Sequence, residues 1–184
     1  MARVTYRTRE DLPEKSRFLF DNLQNWSGYV GNVFRALGNA PHILRGVMVL
    51  GTAVLNKSRL DPRIRELAII RVGQINQADY ERAHHVEIGR KNGVTEADLE
   101  NLSSWQSSSH FSEKERAVLR YTEEVTRSAR PEPATMDELK KHFDDAGIVE
   151  VVAAVSFYNM MCRVLNSLDV DLEPEYEQYR NRYR

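Results

Sequence analysis

The segment "AGIVEVVAAVSFYNMMCRVLNSL", residues 146–168, constrains the fold more than any other. As a helix it is about 34 Å long at 1.5 Å per residue. Val149, Val152, Val155, Phe157, Met160, Met161, Val164, Leu165 and Leu168 are spread around it without leaving a broad polar stripe. A surface helix keeps such a stripe, so this one is expected to be buried nearly all round. The stretches "PHILRGVMVLGTAVL" (41–55) and "LAIIRVGQI" (67–75) are also apolar on more than one face. Three such helices exceed what one small core covers. The surplus is expected to lie against further copies of the chain, with closed rotational symmetry.

Helix punctuation is dense along the rest of the chain and strand alternation is absent, which predicts an all-α domain. Asp61 followed by Pro62 is a helix start, with an N-cap carboxylate and proline at the first helical position, opening "PRIRELAIIRVGQIN". Ser112 with Glu115 and Thr135 with Glu138 have capping-box spacing, and Thr95 with Asp98 is a weaker version of it. Gly93 stands where a left-handed residue ends the helix that contains His84 and His85. "LPEKSRFLFDNLQNW", "YVGNVFRALGN" and "PHILRGVMVLGTAVLN" read as three further helices, the last started by Pro41 and softened by Gly46 and Gly51. The polar stretch "SSWQSSSH" (103–110) reads as a loop too short to link domains. The expected architecture is one domain of roughly eight helices.

A chain of 184 residues fits one core. At 41% hydrophobic and 29% charged residues with a net charge of −1, the composition argues against nucleic acid, an anionic membrane or disorder as the main theme. A small-molecule ligand remains. The N-terminal "MARVTYRTREDLPEK" lacks the apolar centre of a secretory leader, and no window is read as long and apolar enough to span a bilayer, so a cytoplasmic location is expected. The single cysteine, Cys162, cannot form a disulfide within the chain or a thiolate zinc site.

The residues that suggest chemistry lie in "QINQADYERAHHVEIGRKNG", 74–93. Glu81 and His85 are four apart and share a helix face, while His84 points about 100° away. Glu66 sits in an otherwise apolar run of the preceding helix, where a carboxylate is expected to be buried and paired. On general grounds each has a plain structural reading. His85 would be a hydrogen-bonded histidine at a packing surface, and Glu66 and Glu81 would be carboxylates near helix starts. Asp79 would be an N-cap or first-turn residue, and Arg65 and Arg71 would be salt-bridge residues, although either has the chemistry to hold a substrate carboxylate.

The run "RELAIIRVGQINQADYERAHHVEIGRKNG" resembles the signature segment of the carboxymuconolactone decarboxylase and alkylhydroperoxidase D family. In the peroxidase branch that segment is Glu, eleven residues, Cys, two residues, Cys, three residues, His. Counted from Glu66, Ala78 and Glu81 stand at the two cysteine positions and His85 at the histidine position. "LDPRIRELAIIRV" and "VEVVAAVSFYNMMCRVLNSL" are similar to the family's helix before the site and its C-terminal helix, so the resemblance spans roughly residues 30–170. Residues 1–25 read as an added N-terminal helical extension and 26–184 as the family domain. The resemblance implies an alkylhydroperoxidase D-like bundle and assembly as trimers or hexamers, with sites near subunit contacts.

Without the two cysteines, thiol peroxidase chemistry is not expected, since it needs a low-pKa thiolate and a resolving thiol. The glutamate at the second cysteine position resembles the decarboxylase branch. Loss of carbon dioxide from a carboxymuconolactone-like lactone needs no organic cofactor or metal, because a conjugated carbonyl in the substrate accepts the electrons. The protein must supply a dry pocket, a donor for the enolate oxygen and an acid for carbon. The resemblance assigns His85 as proton carrier, Glu81 as its partner on the same face and Glu66 as its brace. Tyr80 is the expected hydrogen-bond donor at the pocket edge, and His84 is left outside the set. A metal held by Glu66, Glu81 and His85 is not expected, since neither His-Glu-x-x-His nor a Glu-x-x-His repeat is present. An isomerase acting on a lactone or enol with the same residues, and a family member that binds a small molecule without turning it over, remain open alternatives.

Overall fold

The computed structural model describes residues 2–183, which contain nine α-helices and no strand. In chain order these are α1 (Phe18–Ser27), α2 (Asn32–Leu37), α3 (Pro41–Thr52), α4 (Pro62–Ile75), α5 (Asp79–Lys91), α6 (Glu96–Asn101), α7 (Glu113–Ser128), α8 (Pro133–His142) and α9 (Asp145–Leu168). The helix at the centre is α4, where every residue from Ile64 to Gln74 is buried. It starts as its sequence dictates, with Pro62 at the first position and the Asp61 side chain accepting from Arg63 N. Helices α5, α7 and α9 pack around it.

A tight turn through Gln77, at φ 52°, folds α5 back on α4. Gly73 allows their closest approach, since a Cβ there would stand 3.2 Å from the Arg82 backbone nitrogen. Gly93 lies just past α5 at φ 86°, the left-handed conformation its place in the sequence predicts. Beyond α9 the chain returns over α5 as a short 3-10 turn, Pro174–Tyr179. Buried Arg82 holds this strap by donating to the Arg180 and Arg182 carbonyls at 2.6 and 3.0 Å.

The expected division after residue 25 falls inside α1, and Leu12, Leu19, Phe20 and Leu23 share one core with α4 and α9. Residues 1 and 184 of that division lie outside the described residues.

Five expectations are corrected. Thr95 and Asp98 make a full capping box, reciprocal in both bonds. Thr135 does not cap a helix, because α8 starts earlier at Pro133 and the Thr135 hydroxyl donates to Glu124 at 2.7 Å. Within 103–110, Leu102–Ser107 is wound as a 3-10 turn, since burying Trp105 and bonding its indole to Glu123 orders the backbone. The long helix α9 is not buried all round, with Val149 65% and Met160 41% exposed. It is also long and apolar enough to cross a membrane by length and composition, contrary to the reading of the windows, with half of its most apolar window buried inside the fold.

Arg63 ties three helix starts together. Its guanidinium reaches Asp98 at 2.6 Å, Glu115 at 2.8 Å and the Gly93 carbonyl at 2.5 Å. Asp98 and Glu115 are the carboxylates of the α6 and α7 capping boxes and are both buried. Arg63→Met leaves two buried carboxylates without their cation, at a cost of about 2–3 kcal/mol. For a chain of this size that lowers Tm by roughly 5–10 °C, read by thermal circular dichroism, and a shift under about 1 °C would show that the capping boxes stand without it.

Candidate functional site

Glu66 on α4 is fully buried, and both of its carboxylate oxygens are engaged. Oε1 accepts from Arg65 Nε at 3.1 Å and Oε2 faces His85 Nδ1 at 2.6 Å. His85, on α5, is 4% exposed, and its Nε2 lies 3.2 Å from Glu81 Oε1. That contact is close enough for charge to act but lies off the line of a hydrogen bond, so Nδ1 is locked by Glu66 while Nε2 stays available. The spacing of four between Glu81 and His85 thus produces the shared face it implies. The α4–α5 turn brings Glu66 to the other side of the ring.

Burial alone lowers the His85 pKa, but the charge and hydrogen bond of Glu66, followed by the neighbouring Glu81 carboxylate, override it and raise the pKa from 6.5 to about 9. The ring is an imidazolium at neutral pH. Against its edge stands Tyr158 of α9, ring centres 4.7 Å apart, with Phe157 edge-on to Tyr158 in turn. Burial first, then the charges of Glu81 and Glu66, push the Tyr158 hydroxyl well above its ordinary value, with Arg65 opposing. Cys162, one turn further along α9, is fully buried, and burial followed by Glu81 raises its thiol pKa, so it does not supply a thiolate.

The expected donor Tyr80 belongs to a different cluster. Its hydroxyl donates to Glu173 Oε1 at 2.7 Å and accepts from Val33 N at 3.3 Å. These partners come from segments far away in sequence, so nothing local foretold them. His84 is stacked between Tyr80 and Tyr176, ring centres 4.3 and 3.9 Å away. Its Nε2 lies 3.1 Å from Glu173 Oε2 without hydrogen-bond geometry. Asp79 sits in the first turn of α5 and is held by Arg82 at 2.5 Å, and Arg71 is engaged by Glu123 and Gln74. Sequence reasoning missed Tyr158. The available signal was a polar pair, Tyr158-Asn159, interrupting the apolar run of α9.

Two open surface depressions, one lined by Phe18, Asn22, Arg45 and Val49 and the other by Arg59, Lys114, Phe143 and Asp144, do not reach these residues. The cluster itself is largely buried, with two carboxylates, an imidazolium and a guanidinium side by side. Such a set can hold and move a proton in a place from which bulk water is excluded.

The sequence model of the Carboxymuconolactone decarboxylase family matches residues 41–124, which include Glu66, Glu81 and His85. Uncharacterized protein YdfG of Bacillus subtilis (strain 168) is 30% identical over 112 residues, covering 59% of this chain and 75% of that protein. The chain belongs to the carboxymuconolactone decarboxylase family. Uncharacterized protein YnjA of Escherichia coli (strain K12) is 27% identical over 150 residues, 78% of this chain and 80% of that one. The fold is alkylhydroperoxidase D-like. A peroxidase-related protein of Ralstonia eutropha JMP134 with an alkylhydroperoxidase AhpD core superposes at a TM-score of 0.84 and 20% identity, over 97% of this chain and 96% of that one.

A folded-state pKa raised above the unfolded one contributes stability that is complete below about 6.5 and is lost as the pH rises through about 9. The His85 ring resonances in the folded protein are therefore expected to titrate near 9, and thermal stability to fall across the same interval. A ring that titrates at or below 6.5 would contradict the clamp by Glu66 and Glu81.

Proposed function

We propose that this family member is a cofactor-independent carbon–carbon lyase that releases carbon dioxide from a carboxymuconolactone-like lactone or related oxo acid by proton transfer. The observation that carries the reading is the buried imidazolium of His85, locked at Nδ1 by Glu66 and available at Nε2 beside Glu81. The bond from carbon to the leaving carboxylate breaks, its electron pair moves into the conjugated carbonyl, and carbon dioxide departs. The enolate so formed takes the Nε2 proton of His85 at carbon, which leaves a neutral imidazole. Solvent then returns the proton. Glu66 holds the ring and its tautomer, and Glu81 exchanges protons with Nε2. The reaction so written draws on no organic cofactor or metal.

Glu81 stands where the peroxidase branch has its second cysteine, and Cys162 is enclosed in α9, which weighs against peroxide reduction. Carbon dioxide evolution from carboxymuconolactone and close analogues tests the reading. His85→Gln is expected to lower turnover by about 10²–10⁴-fold. Cys162→Ser is expected to leave it unchanged, with no hydroperoxide consumed in the presence of dithiols. Full activity in His85→Gln would remove His85 from its role, and proton exchange without gas would replace the lyase by an isomerase.

The apolar surface supports assembly with further copies of the chain. Only Leu44 of α3 is buried, while Ile43, Val49 and Leu50 are 46–65% exposed, and Phe18, Trp26 and Met160 are also exposed. Gly51 of α3 faces Phe157, which abuts Tyr158 at the His85 ring, so a copy covering α3 would also close the site. A homo-oligomer, trimer or hexamer, is expected in light scattering of the wild type, and Val49→Asp is expected to dissociate it. A stable, active wild-type monomer would be the contrary result.

A further inference from the structure

Glu66 is one carboxylate shared by two cations. Arg65 Nε donates to its Oε1 at 3.1 Å and His85 Nδ1 donates to its Oε2 at 2.6 Å, with all three side chains buried. The two contacts differ in origin. Arg65 precedes Glu66 on α4, so the helix itself fixes it beside the carboxylate, whereas His85 arrives from α5. The other groups around the ring are Glu81 on α5, 3.2 Å from Nε2, and Tyr158 on α9, edge-on at 4.7 Å, with Cys162 one turn further along. Burial pushes the Tyr158 hydroxyl and the Cys162 thiol up, so both are uncharged at neutral pH. Arg65 therefore supplies a permanent cation to the very carboxylate that holds the ring.

A buried carboxylate divides its charge between its partners. Its two oxygens belong to one delocalised group, so a cation that polarises Oε1 withdraws charge from Oε2 and weakens the hold on His85. The guanidinium also opposes the imidazolium directly, as like charges do across a shared anion. Its field is felt on the far side of the ring, where it opposes the shift of the Tyr158 hydroxyl. Glu66 and Glu81 thus raise the His85 pKa, and Arg65 limits how far. The limit matters for acid–base work. An acid that holds its proton too firmly gives it slowly to carbon, and one that holds it too weakly has already lost it.

We propose that Arg65 is a positioning residue that acts through Glu66, fixing the carboxylate against His85 Nδ1 and keeping the ring an acid able to release its Nε2 proton. The role rests on the reading of His85 as proton carrier. Arg65 meets no reacting atom, because it reaches the ring only through Glu66 on the Nδ1 side, while the transferred proton leaves from Nε2. It gains and loses no proton itself. The proton passes from Nε2 to the enolate carbon and is replaced from solvent, with or without the guanidinium in place. Of the two uses open to Arg65 in the sequence, the salt bridge is the one formed, and its charge sets how readily the neighbouring imidazolium gives up its proton.

The test follows the His85 ring by nuclear magnetic resonance of ¹³C-labelled histidine against pH, the signal being assigned by its loss in His85→Gln. Arg65→Gln removes the charge and keeps a neutral donor. The ring midpoint is expected to rise by about one pH unit in Arg65→Gln and to return most of the way in Arg65→Lys, which restores the charge. A salt bridge that only stabilises the fold would lower Tm in Arg65→Gln and leave the ring midpoint where it is in wild type, and that result overturns the proposal. For a lactone that is turned over, the high-pH limb of the rate profile is expected to move up with the ring midpoint in Arg65→Gln. There kcat at neutral pH falls by about 3–10-fold with KM little changed. Should Arg65→Gln fail to fold, the wild type decides. Its Arg65 Nε–H resonance is expected to shift with the midpoint of the His85 ring, because both groups hold one carboxylate, and a signal that stays still through that titration overturns the proposal. A midpoint that moves in Arg65→Gln, with no lactone turned over, leaves the role of Arg65 standing and removes the lyase reading. Carbon dioxide release that depends on His85, with an unmoved midpoint in Arg65→Gln, does the reverse.

Discussion

The pairing of Glu66 is the interaction on which the rest of this structure depends. A carboxylate with no solvent exposure in the middle of the central helix is strongly unfavourable unless its charge and lone pairs are answered nearby. Arg65 answers one oxygen from the same helix, and His85 answers the other from α5. This requirement sets how α5 lies on α4 and which face of α5 turns inward. The same rule governs the other polar residues of α4, with Arg71 paired to Glu123 of α7 and Gln74 donating to the carbonyl of Tyr183 in the C-terminal strap. A helix buried on every side must carry its polar partners with it, and those partners come from the helices and strap around it.

The clamp that stabilises the fold also tunes the site. An imidazole between two carboxylates holds its proton to a higher pH than a free one, and here the carboxylates do so against burial, which alone would lower the pKa. Because Nδ1 is engaged and Nε2 is not, the proton is available on one side only. At the second cysteine position of the peroxidase pattern this chain has Glu81, which does not react as a thiolate does but can accept and return protons. With Ala78 and Glu81 at the two cysteine positions the pattern loses both thiols, while the neighbouring carboxylate Glu66 and imidazole His85 keep their places.

The second buried cluster, His84 with Tyr80, Tyr176 and Glu173, has a different physical character. Its aromatic faces and the Glu173 carboxylate join α5, the start of α2 and the C-terminal strap, through contacts such as Asn32 N donating to Glu173 at 2.7 Å. Adjacent histidines thus serve two separate environments, because a one-residue step turns the side chain by about 100° around the helix. His85 faces α4 and α9, and His84 faces the strap.

Much of this protein was legible in local sequence because local chemistry decides it. Asp61-Pro62 and the Ser112–Glu115 box start their helices through bonds made within a few residues, and Gly93 ends one through a backbone conformation that glycine adopts without strain. The shared face of Glu81 and His85 follows from helical period alone, and Glu66 in an apolar run announced a paired carboxylate. Tertiary structure decided what depends on partners distant in the chain. Tyr80 and Tyr158 are both tyrosines on helices near His85, and no local property distinguishes the one bonded to Glu173 from the one packed edge-on against the His85 ring. Thr135 has the spacing of a cap, but Pro133 and the approach of Glu124 place it inside α8. The apolar pattern of α9 read as burial on all sides, whereas α4, with its charged residues, is the enclosed helix. Hydrophobic periodicity measures how much surface a helix would bury, and only packing determines which helix takes the centre and whether its charges find partners there.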